Sequence, residues 1–166
     1  MRDERLENTV WRLRVGLLWL VLLGIVGVAA LLAYERHWGS YVQWIPWAIL
    51  GLILVSLVLV VLAPGIGTKK LAQVVTLITI VVSFVGMWQH FDANYDAAAE
   101  NPQYAAQWEQ MSIIDKVWEV GGGTVGQVPI YAAAALIPVA LSLLMATAGL
   151  GEEEQPGEYV DPRQRR

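Results

Sequence analysis

His37 and His90 are the only imidazoles in the chain. His37 stands in Glu35-Arg36-His37-Trp38, and His90 in Trp88-Gln89-His90-Phe91-Asp92. Imidazole nitrogens ligate haem iron, copper or zinc, and a carboxylate such as Glu35 or Asp92 can share a metal with them. If the segments carrying them are neighbours, both rings lie at one depth and can bracket a haem iron or hold a metal. Otherwise they are ordinary polar ends of helices. A second set is Gln73, Thr76, Thr79 and Ser83, spaced three, three and four apart on one helical face. A face like that lines a path for water or solute, or bonds a neighbouring helix.

Little else here can do chemistry. No serine is matched to a histidine and a carboxylate in a recognisable nucleophile motif. The absence of cysteine excludes thiol–disulfide exchange, Cys-ligated zinc and iron–sulfur clusters. Gly121 to Gly126 lacks the Lys-Ser/Thr that completes a phosphate loop. The balance leans away from an enzyme.

Those residues must be positioned by very apolar elements. Of 166 residues, 56% are hydrophobic and only 16% charged, where a soluble domain carries about a quarter. No Asp, Glu, Lys, Arg or His occurs in 15–34, 44–63, 71–89 or 128–150. Each window is long enough to cross a hydrocarbon core of about 30 Å as helix. The predicted fold is all-α, an integral membrane four-helix bundle. Its parts are an N-terminal segment 1–14, a four-span domain 15–150 with an outer loop 90–127, and a disordered tail 151–166. The first apolar run continues through Leu31 and Leu32 to Tyr34, too long for a cleaved signal peptide.

Charge sets the orientation. Arg2, Arg5, Arg12, Arg14, Lys69, Lys70, Arg163, Arg165 and Arg166 share one side in a four-span layout, and only Arg36 and Lys116 fall on the other. Basic residues mark the cytoplasmic face, so both termini are expected inside. The outer loop is acidic, with Asp92, Asp96, Glu100, Glu109, Asp115 and Glu119 against Lys116 alone. Trp38, Trp44, Trp47 and Trp88, with Tyr34 and Tyr41, fall where helices meet the outer interface, the depth that suits amphipathic rings.

Within the spans, Gly24, Gly27 and Ala30 suggest a smooth strip for close helix approach. Pro46 suits the first turn of the second span, and Gly65 to Thr68 makes spans two and three a hairpin. Ala134, Pro138, Ser142 and Ala146 form a row of mostly small residues, and Pro138 is expected to kink the fourth span. In the outer loop, Asn101-Pro102 reads as a helix start. Tyr104, Trp108, Met111, Ile114 and Trp118 then follow at helical spacing, predicting an amphipathic helix near 102–120 that caps the bundle or docks on a partner.

The stretch Glu35-Arg36-His37-Trp38-Gly39-Ser40-Tyr41-Val42-Gln43-Trp44-Ile45-Pro46-Trp47 resembles small uncharacterised bacterial inner-membrane proteins. That resemblance implies a bacterial inner membrane and brings no activity with it. The leading expectation is a non-catalytic accessory, assembly or scaffold component. Its partners are the lipid bilayer and other membrane proteins or itself, with no nucleic acid and no required cofactor. The alternatives are a small transporter or channel using Thr76, Thr79 and Ser83, and a haem or quinone redox subunit using His37 and His90.

Overall fold

The computed structural model describes residues 2–122, 125 and 129–151. The predicted tail from Glu152, with Arg163, Arg165 and Arg166, lies outside them, as do Gly123, Gly126 and the start of the fourth window at Val128. The described residues are helical, without strands. They form α1 (Arg2–Tyr34), α2 (Ile45–Leu62), α3 (Ile66–Glu100), α4 (Ala105–Trp108), α5 (Ile113–Gly121) and α6 (Leu136–Ala146), with 3₁₀ turns at Val42–Trp44 and Ile130–Ala135. Three helices, within 4–34, 42–62 and 66–100, are long and apolar enough to cross a membrane.

α6 packs against α1 and α3, and α2 closes the body from the other side through contacts with both. On α1 the buried residues are Val21, Ile25, Val28 and Leu32, at steps of four, three and four. Those steps stay on one stripe of a helix with 3.6 residues per turn. They meet Ile49, Leu50, Ile53 and Leu57 of α2, and Leu136, Val139, Ala140 and Leu143 of α6. The expected strip of Gly24, Gly27 and Ala30 does not face α6 as a unit. Gly24 lies against Val139, Gly27 has no neighbour that a Cβ would touch, and Ala30 is exposed. Two successive steps of three drift around the helix, so only one member stays on the contact.

α6 also departs from its predicted row. Val139, Ala140, Leu143 and Ala146 face inward while Pro138 is exposed, so Ala146 alone belongs to both sets. Pro138 is the third residue of α6, just past the change from the 3₁₀ turn Ile130–Ala135 to α-helix. Its ring nitrogen gives no hydrogen bond to the turn before it. Near the end of α6 the Arg14 side chain from α1 donates to two carbonyls, Nε to Ala146 O at 3.0 Å and Nη2 to Ala148 O at 2.9 Å. A cation on the last carbonyls of a helix satisfies orphan acceptors and the favourable end of its dipole.

α3 runs past its uncharged window to Glu100 instead of ending at Gln89. The segment 90–100 is rich in alanine and lacks Gly or Pro, so nothing local stops the helix. Around that extension a second apolar cluster forms from Ala98, Tyr104, Trp108, Val120, Val125 and Ile130. The single helix expected over 102–120 is two short ones. Asn101 caps α3 and its Oδ1 accepts from Gln103 N at 2.9 Å, so Asn101-Pro102 makes a turn, not a helix start. Ser112 then starts α5 afresh, its Oγ accepting from Asp115 N at 3.2 Å and donating to Asp115 Oδ2 at 2.7 Å. The break lets Tyr104 and Trp108 turn inward, leaving Ile113, Ile114, Val117 and Trp118 exposed.

Candidate functional site

The loop after α1 is shaped by its own backbone. Arg36 takes the left-handed conformation at φ 50. Its N–H donates to Ala33 O at 3.1 Å, and the N–H of His37 reaches back to Leu32 O at 2.8 Å. These two bonds are a Schellman ending, with Arg36 where glycine is usual. The Trp47 indole, from the start of α2, then donates to His37 O at 2.8 Å. His37 is thus held through both its backbone groups.

His90 needs no such loop, because α3 continues through it. Its Nδ1 lies 3.0 Å from Pro129 O, just before the 3₁₀ turn leading into α6. A carbonyl only accepts, so Nδ1 carries the proton, and in the neutral ring the lone pair is on Nε2.

The two rings come together, with centroids 6.3 Å apart and planes tilted by 54°. Both line a cavity of about 480 Å³ at the end of the body away from Arg14. Its walls are mainly Val28, Leu32, Val82, Ala132 and Ala133, with Glu35, Gln43, Ser83 and Gln89 as polar members. Small residues make the room. A Cβ built on Gly86 would stand 3.0 Å from that of Ala133, so α3 and the 3₁₀ turn approach closely beside the space. The His37 pKa falls below its ordinary 6.5, chiefly because burial disfavours its charged form, then because His90 is near, with Glu35 opposing.

The third-span polar set divides. Thr76 Oγ1 donates across to Ala140 O of α6 at 3.0 Å, and Thr79 Oγ1 to Val75 O of its own helix at 2.7 Å. Ser83 is 1% exposed, lines the cavity, and its Oγ has no hydrogen-bond partner among the described residues. Gln73 is exposed and does not join the other three.

The docking set divides as well. Tyr104 and Trp108 are buried with Met111 against them, whereas Ile114 and Trp118 are 75% and 79% exposed. Trp108 meets the Tyr95 ring edge-on at 5.3 Å and carries Lys116 Nζ 5.3 Å from its centroid. Among the interfacial aromatics, Tyr34, Trp38, Tyr41, Trp44 and Trp88 are exposed and Trp47 is turned to the His37 loop.

Several residues of the site were missed by reasoning from sequence. Pro129 and Gly86 act through the space or carbonyl they provide, and neither type signals a site. Ser112-Ile113-Ile114-Asp115 was a readable capping pattern that would have located the start of α5. Compared with known proteins, the chain matches no family model, no curated protein and no solved structure.

Proposed function

We propose that this chain is a multi-pass protein of a bacterial inner membrane that binds a small ligand in the cavity between His37 and His90, without catalytic residues of its own. The observation that carries the reading is the cavity itself: paired imidazoles and the unbonded, buried Ser83 hydroxyl share about 480 Å³. Ligand pockets fall in the range of about 300–1,000 Å³, mostly apolar with a few polar groups.

Four crossings suit the geometry. The 3₁₀ turn Ile130–Ala135 and α6 hold 17 residues, short for a spanning helix. Because a 3₁₀ turn rises about 2.0 Å per residue and an α-helix about 1.5 Å, the pair reaches roughly 28 Å, close to a hydrocarbon core. With the basic residues inside, both termini are cytoplasmic and the histidine cavity opens toward the outer face.

Because the chain has no cysteine, single introduced thiols report cleanly. Ala132→Cys, at a half-buried position lining the cavity, is expected to react with a small, charged, membrane-impermeant thiol reagent added outside intact cells. Tyr41→Cys, at 96% exposed, serves as the positive control, and Thr9→Cys should stay unlabelled. Adding Ala133→Phe should block Ala132→Cys and leave Tyr41→Cys reactive. A reactive Tyr41→Cys beside an unreactive Ala132→Cys would defeat the reading, and labelling at Thr9→Cys would reverse the orientation.

The accessory reading has one observation of its own, the exposed Ile113, Ile114, Val117 and Trp118 face of α5. Extraction in mild detergent tests it. A particle far heavier than small multiples of 18.3 kDa, containing other proteins and lost on Trp118→Asp, would favour an accessory subunit.

A further inference from the structure

The geometry points to His37 and His90 as the two axial ligands of one metal carried in a planar macrocycle, as iron is in haem. The inference rests on the reading of the cavity as a ligand site and names what fills it.

Distance is the first support. Two imidazoles on opposite sides of one metal, each bonded at about 2 Å, place their ring centres roughly 6 Å apart. The observed separation is 6.3 Å. Ring tilt about such an axis is free, so the 54° between planes is compatible.

Preorganisation is the second. His90 gives its Nδ1–H to the Pro129 carbonyl, which leaves Nε2 as the donor atom. A ligating histidine commonly gives its other N–H to a carbonyl in this way, which fixes tautomer and orientation. His37 is anchored by Leu32 O and the Trp47 indole through its backbone.

Ligand count separates a macrocycle from a bare ion. Among the described residues no third histidine or carboxylate completes a group able to hold a metal ion. Protein zinc sites take three or four side-chain ligands. A macrocycle brings four in-plane nitrogens and asks the protein for two. It also explains the space, since 480 Å³ is far more than an ion needs. The walls beside the histidines are small or apolar, including Val82, Gly86, Ala132 and Ala133, as a flat hydrophobic ring requires. Binding is ligand exchange: two imidazole lone pairs replace water on the metal, and no electron is transferred.

The test is titration of the purified full-length protein in detergent with ferric haem, read by its visible spectrum. The expected result is saturation at one haem per chain with a six-coordinate, low-spin spectrum. His37→Ala and His90→Ala should each lose the low-spin form and weaken binding at least tenfold. Unchanged spectra in both variants, or no stoichiometric binding, would overturn the inference. Ala132→Cys reactivity and its block by Ala133→Phe in each variant's background report that the cavity persists, so loss through misfolding is recognised. Cuprous ion is the second probe. One-to-one copper binding that needs both histidines, without haem binding, would overturn the macrocycle and leave a bare ion as the source of the metal. A reactive Ala132→Cys with neither metal bound defeats this inference and leaves the cavity reading standing, whereas an unreactive one defeats the reading itself.

Discussion

The two ends of the helical body are held together differently. Near the start of α1 and the end of α6, contact is direct. Arg14 bonds the carbonyls of Ala146 and Ala148. About one turn from the cavity, Gly24 in the middle of the body accepts Val139 where no side chain would fit. At the other end α1, the loop after it, α3 and the 3₁₀ turn before α6 surround the histidine cavity, and order comes from polar anchors and from the aromatic cluster on the α3 extension. A ligand site needs space, and space forfeits packing contacts. The open end therefore relies on bonds to backbone carbonyls and on the Tyr104–Trp108 layer beside it.

The largest expected effect breaks the open end. Trp108, 4% exposed and in contact with the Tyr95 ring, should cost about 3–5 kcal/mol on truncation to alanine. Hydrogen exchange should rise in α4 and α5 while α1 and α6 remain protected. Equal loss at both ends would show that the two are one cooperative unit.

Between the two ends, Gly24→Ala brings a Cβ within 2.5 Å of Val139 Cγ2, an overpacking expected to cost about 1–3 kcal/mol. Gly27→Ala, with nothing within 4 Å, should change stability by no more than about 0.5 kcal/mol. Thermal unfolding of the pair in one detergent checks both. Arg14→Ala leaves the α6 carbonyls without their cation and should cost about 1 kcal/mol, readable as faster exchange near Thr147.

Two smaller changes sharpen the account of the His37 loop. Arg36→Gly relieves a left-handed backbone at φ 50 and should stabilise the fold by about 1 kcal/mol. The His37 pKa lies below 6.5 in the folded chain through burial first, then His90, against Glu35. Its contribution is therefore complete above pH 6.5. It declines with acidification, because the unfolded chain takes up the proton first, and stops declining once pH is below the folded value. Unfolding measured at pH 8 and pH 5 should show a smaller acid loss in His37→Gln. Glu35→Gln should lower the His37 value further, which an imidazole NMR titration would resolve.

The helical class and the apolar elements were legible from residue types alone. Long uncharged runs leave the backbone no economical arrangement but helices, and Pro46 and Pro64-Gly65 bound α2 closely. The residue types able to do chemistry were also legible, since two histidines in a cysteine-free chain are few enough to single out. Which of them meet was decided by tertiary structure. Helix α3 brings His90 beside a loop 53 positions earlier in the chain, and no local pattern encodes that distance. Steps of three gave the right faces only approximately, so Gly27, Ala30 and Gln73 drifted off seams where Gly24, Thr76 and Ser83 lie. The cavity itself belongs to no residue. It exists because Gly86, Ala132 and Ala133 are small on surfaces that face each other, a property of paired helices that neither sequence segment carries alone.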